Sequence, residues 1–126
     1  MKNLRLGEAA KRAVGTGTNQ IPDMGLFAAN FAGGANSYAK FPNGLIIQTG
    51  AITSIPAGTS IEVFYPIAFP TQMCFVIFTA AGSADSTVPI SIGVDAQSVT
   101  DSRKSVMARN FSTRSNAGTR FTAIGF

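Results

Sequence analysis

From residue 41 onward, short runs of β-branched and aromatic residues alternate with clusters of glycine, proline and serine. Side chains of the first kind fit the pleated, half-buried surface of a sheet, and residues of the second kind form turns. The pattern therefore predicts strands separated by loops. Six strands are predicted, over residues 44–50, 60–69, 73–80, 88–94, 104–111 and 119–126. Short strands in this arrangement are typical of a small all-β sandwich.

Two of these strands carry patterns that predict their surroundings. The second alternates Ile61, Val63 and Tyr65 on one face, and Pro66 is expected to end it or to place it at an edge. The third, MCFVIFTA, is apolar on both faces and is therefore predicted to be a central strand covered on both sides. Its cysteine, Cys74, is predicted to be a buried thiol that acts as a small hydrophobic residue.

The first 40 residues have a different pattern. Good helix formers occupy residues 8–13 and Gly15 follows as a stop signal, which predicts a helix too short to be stable alone. Apolar residues without a steady period surround it, so this segment is expected to dock against another surface, such as a second copy of the chain. These residues are Leu4, Leu6, Ile21, Leu26 and Phe27. We therefore divide the chain into an arm of residues 1–40 and a β-sandwich knob of residues 41–126.

The distribution of charge limits the possible partners. Charged residues make up 13% of the chain, about half the usual share, so much of the surface is expected to be small and polar or covered by other chains. Five basic residues and no carboxylate follow residue 102. They are scattered among serine and threonine, without the clustered aromatics of a nucleic-acid site, so no nucleic-acid partner is predicted. The same arginines suit sugar or lipid phosphates.

The segment VGTGTNQIPD, residues 14–23, carries two glycines one residue apart, as phosphate-binding loops do. A dinucleotide loop requires a third glycine between a strand and a helix, and a P-loop requires Gly-Lys-Ser/Thr. Here Gln20 stands in place of the third glycine, and the predicted helix precedes the loop. We therefore predict no cofactor.

The residue types needed for catalysis are sparse. The chain has no histidine, the commonest general base and metal ligand, and Cys74 therefore lacks the usual activating partner. A pair of carboxylates suffices for glycoside hydrolysis, and Asp95 and Asp101 are close in sequence. Aspartates in polar loops usually bond to nearby backbone instead. The chain is therefore predicted to be no enzyme, with no catalytic residue and no metal site.

Several segments of the chain resemble those of one family. The segment LGEAAKRAVGTGTNQIPDM, residues 6–24, resembles a joint that recurs in the tail fibres of tailed bacteriophages and prophages. FPNGLIIQTG, EVFYPIAFPTQ and RFTAIGF resemble the C-terminal domain of those fibres, in the same order. On this resemblance the chain is identified as the C-terminal receptor-binding domain of such a fibre. It departs from the family at Thr49 and Thr122, where relatives often have tryptophan and a larger side chain.

The resemblance implies an intertwined homotrimer on an upstream fibre shaft, with a short helix and an extended arm around a threefold axis. It places the chain in the virion tail fibre, made in the host cytoplasm. No signal peptide or membrane insertion is expected, since no apolar run approaches the about 20 residues that a span requires. The knob would bind a bacterial surface receptor: lipopolysaccharide, another glycan or an outer-membrane protein. A non-catalytic adhesin tip, a glycan depolymerase and a structural fibre cap all remain open.

The direction of the strands predicts which loops meet the receptor. If the first strand leads away from the shaft and each strand reverses, loops 51–59, 82–87 and 112–118 lie at the far end. Loops 67–72 and 95–103 then face the shaft. Small polar side chains with one aspartate and one arginine suit sugar hydroxyls and phosphates. The predicted receptor-binding residues are Ser83, Asp85, Ser86, Ser112, Arg114, Ser115 and Asn116.

Overall fold

The structure, a computed structural model, describes residues 7–32, 36–81, 89–95, 99–115 and 118–126. Within these residues the chain forms eight strands and two 3-10 helices of three or four residues each. The helices are Glu8–Lys11 and Met24–Leu26. The strands are β1 (Ala29–Ala32), β2 (Asn36–Lys40), β3 (Ile46–Ile52), β4 (Ser60–Phe64), β5 (Met73–Ala81), β6 (Ile92–Val94), β7 (Ser105–Asn110) and β8 (Gly118–Gly125).

The strands form two antiparallel sheets that enclose the core. The larger sheet has the order β1-β2-β3-β8-β5, and the smaller has the order β4-β7-β6. Both sheets contribute buried apolar side chains to one cluster between them. Its members are Ile46, Ile52, Ile55, Val63, Tyr65, Phe69, Val106, Ala108, Phe121 and Ala123. The predicted all-β sandwich is confirmed.

The alternation of side chains along β3 shows how the sequence selects the inner face. Ile46, Gln48, Gly50 and Ile52 are buried, while the residue between each pair is more exposed, as the two-residue period of a strand requires. Gln48 is the polar member of this row. Its Nε2 donates to the carbonyl of Ile67 and its Oε1 accepts from the N–H of Ile67, both at 2.8 Å. The nitrogen and the oxygen of this buried amide thus both have hydrogen-bond partners, and the two bonds hold in place the backbone that follows β4.

Tyr65 packs in the core with an unsatisfied hydroxyl. Its ring lies 5.2 Å from that of Phe69 and 6.1 Å from that of Phe121, measured between centroids. The Tyr65 hydroxyl is buried and has no hydrogen-bond partner among the described residues. Burial raises the pKa of Tyr65 to about 12, because the charged phenolate is disfavoured in an apolar surrounding.

All six predicted strands are present as β3 to β8, with ends shifted by up to five residues. The position of β5 was predicted wrongly. It is an edge strand of the larger sheet, because β8 inserts between β3 and β5. Cys74, expected to be a buried thiol, is exposed, and so are Phe75 and Ile77. A run that is apolar on both faces cannot by itself distinguish a central strand from one that another chain covers.

The N-terminal segment also differs from its prediction. The predicted two-turn helix is a single 3-10 turn, Glu8–Lys11, without a buried residue. The hairpin of β1 and β2 was not foreseen at all. β2 pairs with β3 from Asn36↔Gly50 to Lys40↔Ile46, so β1 and β2 extend the larger sheet.

Candidate receptor-binding surfaces

Loops of the sandwich gather at two ends. At the far end, the N–H of Gly58 donates to the carbonyl of Asn110, and the N–H of Asn110 donates to Thr59. These bonds join loop 53–59 to the loop that begins at residue 111. β5 ends here too, since Ala81 lies opposite Gly118. The structure thus brings the first and fifth loops together.

Asn110 organises the loop of residues 111–115. Its buried amide nitrogen donates to the carbonyls of Ile55, at 2.9 Å, and Arg114, at 2.7 Å. Its Oδ1 accepts from the N–H of Ser112 at 3.0 Å and from the Ser112 hydroxyl. The loop therefore winds around one asparagine, which the sequence analysis did not single out. A single asparagine at a strand end gives no sequence signal for this role.

The predicted receptor-binding residues have different environments. The Ser112 hydroxyl points inward to Asn110, Arg114 is partly buried, and Ser115 is exposed. Ser112, Arg114 and Ser115 lie within one loop at the far end. The other four, Ser83, Asp85, Ser86 and Asn116, lie outside the described residues.

The opposite, near end is closed by an ion pair and the last residue. Arg103 donates from Nε and Nη2 to the two carboxylate oxygens of Asp101, at 3.1 and 3.0 Å, and from Nη1 to the carbonyl of Pro70 at 3.3 Å. Hydrogen bonds from the Arg103 side chain and N–H hold the pKa of Asp101 below its usual value. The carbonyl of Phe126 accepts from the N–H groups of Thr71 and Gln72, both at 2.8 Å. The Asp101 carboxylate therefore forms hydrogen bonds within its own loop, as aspartates in polar loops usually do.

The outer face of the larger sheet is the surface of the five strands that points away from the core. Its rows follow from the register, and one row consists of Ala29, Ala39, Ile47, Ile124 and Phe75. The next row places Thr49 directly opposite Thr122, so the two departures from the family pattern are neighbours here. In the described strands, only one side chain on this face, that of Arg120, is charged.

The outer face of the smaller sheet carries charged and polar side chains beside one exposed ring, that of Phe64. It presents Ser60, Glu62, Met107 and Arg109, in pairs fixed by the register of β4 and β7. The carboxylate of Asp95 joins this group and forms an ion pair with Arg109 at 3.4 Å. The two carboxylates considered for glycoside hydrolysis thus have separate partners, Arg109 for Asp95 and Arg103 for Asp101.

The glycine segment of residues 13–21 closes on itself. The N–H of Ile21 donates to Ala13 and the N–H of Gly15 donates to Ile21, which forms a bridge between the two ends. The Oε1 of Gln20 accepts from the N–H of Gly17 at 2.6 Å. A Cβ atom on Gly15 would lie 2.2 Å from that oxygen, so the glycine leaves room for the Gln20 side chain in this position. The backbone donor that could bind a phosphate is occupied by this side chain.

The described residues contain no group of three or more side chains of the types that ligate metals. None of their helices has the length and apolar character needed to cross a membrane.

Comparison with known families gives a match over most of the chain. Residues 40–126 match the family described as tail fiber protein gp53-like, C-terminal. The chain belongs to this family. The resemblance to a tail fibre C-terminal domain, inferred from the sequence motifs, is thereby confirmed, and strands β3 to β8 lie within the matched residues. A comparison with curated proteins finds no match.

Solved structures of pyocin fibres share the fold of this tail fibre domain. An N-truncated R2-type pyocin tail fiber has a TM-score of 0.63 at 22% identity, over 79% of this chain and 38% of that one. The R2 pyocin fiber of P. aeruginosa has a TM-score of 0.58 at 20% identity, over 79% of this chain and 26% of that one. An N-truncated R1-type pyocin tail fiber has a TM-score of 0.53 at 22% identity, over 79% of this chain and 86% of that one. The domain therefore spans well under half the length of the first two fibres.

Proposed function

We infer that this domain is the non-catalytic tip of a homotrimeric tail fibre, which attaches a phage or phage-like particle to the surface of a bacterium. The observation that carries this inference is the division of its exposed surface. One sheet presents an almost uncharged outer face, whereas the far end and the other sheet present polar side chains. A fibre tip needs both kinds of surface, one for its sister chains and one for its receptor.

The outer face of the larger sheet is the surface for the sister chains. Ile77 is 56% exposed and Phe75 46% exposed, on a strand that is the last in its sheet among the described strands. Phe31, at the other edge of the same sheet, is 75% exposed. Large contiguous apolar patches mark interaction sites in soluble proteins. Three copies packed around an axis would cover these side chains and the edge of β5.

The far end is the surface for the receptor. The chain enters the sheet at the near end, where the N–H of Lys40 donates to Ala28, so an upstream shaft would join there. Loop 111–115 is then directed away from the shaft on a rigid base formed by Asn110. Its exposed polar groups suit a lipopolysaccharide sugar or another glycan, and an outer-membrane protein is the other receptor class. Three such ends on one axis would raise a weak affinity through avidity.

The test is attachment of the labelled domain to a panel of bacterial strains, with mutants that lack outer sugars. We expect selective binding, and we expect a double substitution Arg114→Ala and Asn116→Ala to abolish it while light scattering still reports a trimer. Lys11→Ala, a comparable change near the N-terminus, serves as the control. Unchanged attachment of the double variant would remove the far-end loops from the proposal.

The same preparation tests the non-catalytic character. Purified host polysaccharide is incubated with the domain, and its chain length is followed by gel filtration. We expect no change in length. A progressive decrease would mean a depolymerase, and binding to no strain at all would favour a structural fibre cap.

A further inference from the structure

A polar cluster occupies the centre of the outer face of the smaller sheet. Arg109 of β7 lies between Ser60 of β4 and Gly93 of β6 in the strand register. Its Nη1 donates to Oδ2 of Asp95 and to Oγ of Ser60, both at 3.4 Å. The Ser60 hydroxyl also donates to the Asp95 carboxylate. The N–H of Asp95 donates to the carbonyl of Met107 at 2.9 Å, so each member stands on backbone fixed by the sheet.

An aromatic ring borders this cluster. The ring of Phe111 lies over Gly93, where a Cβ atom would come within 3.1 Å of it. The guanidinium carbon of Arg109 is 5.8 Å from the ring centroid, which is within cation–π range. Phe111 is nevertheless 57% exposed. Its position is fixed by its neighbours while more than half of its surface stays open.

The stability of the fold does not account for this arrangement. A partly exposed ion pair and a half-exposed ring contribute little to folding. Arg109 remains about a third exposed, with a side-chain exposure of 36%. Among the described residues it donates through Nη1 alone, so Nε and Nη2 remain available for another acceptor.

We propose that Phe111, Arg109, Asp95 and Ser60 form a binding site for a neutral pyranose sugar. The C–H groups on one side of a pyranose ring complement the electron-rich face of an aromatic ring. Vicinal hydroxyls both donate and accept, which matches a guanidinium, a carboxylate and a hydroxyl held side by side. The positive charge of Arg109 is balanced by Asp95, and Glu62 adds a negative charge on the same face, so a neutral sugar is favoured over an acidic one.

This inference rests on the proposed attachment function and adds a second contact surface to it. If three copies meet through the larger sheet, each smaller sheet faces outward, and the trimer carries three such sites on its sides. A fibre tip with sugar sites on its flanks could hold a glycan chain that runs along it, while the far end contacts another part of the receptor.

The experiment measures binding of the trimeric domain to an array of bacterial O-antigen and lipopolysaccharide-core oligosaccharides. Free glucose, galactose, mannose and galacturonic acid serve as competitors. Phe111→Ala is compared with Phe64→Ala, which removes a similarly exposed ring from the same sheet. Arg109→Lys keeps the charge but removes the planar fork. We expect Phe111→Ala and Arg109→Lys to weaken sugar binding about tenfold or more. Phe64→Ala should bind the sugar as the wild type does, and all three variants should keep the wild-type melting temperature.

The outcomes separate this site from the attachment function. Wild-type attachment to cells with equal sugar binding by all variants would overturn the site and leave the attachment function standing. Sugar binding that depends on Phe111 without attachment to cells would support the site and remove the attachment function. Stronger competition by galacturonic acid than by the neutral sugars would overturn the proposed ligand class.

Discussion

The two outer faces of this sandwich are both built from antiparallel strands, yet they differ clearly in charge. On the larger sheet, rows of alanine, isoleucine, phenylalanine and threonine are interrupted by one charged side chain, Arg120, in the described strands. On the smaller sheet, Glu62, Asp95 and Arg109 lie together. Both faces are exposed in a single chain, so burial against the core explains neither composition. The difference supports the proposal that other copies of the chain cover one face and that the other meets water and ligand.

The largest effect should come from placing a charge on each face in turn. Phe75→Asp on the larger sheet should dissociate the trimer, because an unpaired carboxylate in an apolar interface costs about 3 kcal/mol per protomer or more. Phe64→Asp puts the same charge on a phenylalanine of the smaller sheet that is also exposed, and should leave the assembly intact. Light scattering at several concentrations measures both. Equal behaviour of the two variants would remove the distinction between the faces.

A second substitution tests whether the structure of the far end depends on the buried amide of Asn110. Asn110→Ala removes the partner of two carbonyls and one N–H, so we expect a loss of about 2–3 kcal/mol in the free energy of unfolding. Attachment to cells should fall with it, while sugar binding at Phe111 should persist in the folded fraction. Urea denaturation gives the first quantity and the array the second. Loss of both activities in protein that is still folded would mean that the two surfaces are coupled.

A third substitution acts on the core that both faces share. Tyr65→Phe removes a buried hydroxyl that lacks a partner among the described residues, and should stabilise the fold by about 1 kcal/mol at neutral pH. The pKa of Tyr65 is raised from 10.0 to about 12, so the unfolded chain loses this proton first. The wild-type contribution is therefore complete below pH 10 and is lost as the pH rises towards 12. Denaturation at pH 7 and pH 11 checks both statements, since the variant should lack this alkaline loss.

The smallest effect is expected at the near end. Asp101→Asn breaks the fork of hydrogen bonds with Arg103, an exposed pair that should lower the melting temperature only slightly. Because Arg103 lowers the pKa of Asp101, the wild-type contribution is present above the ordinary value of 3.8 and is lost as the pH falls through the lowered one. The variant should not show this acid-dependent loss. A large destabilisation at neutral pH would mean that the near end has a greater role than its exposure suggests.

The sequence predicts the six strands β3 to β8 well, because strand period and turn residues are local properties. The positions of β5 and of the β1–β2 hairpin depend on which strands pair over long distances, and local pattern carries no such information. The same limit applies to the polar cluster. Ser60, Asp95 and Arg109 come from three separated segments, and only the register of β4, β6 and β7 brings them together.

The central position of β8 also has a consequence for biosynthesis. β8 pairs with both β3 and β5, yet it follows every other strand in the chain. While the ribosome is still making residues 118–125, β3 and β5 each expose an open hydrogen-bonding edge. The aromatic side chains of β5 then lack the neighbouring strand β8. The larger sheet can therefore close only after this segment has left the ribosome.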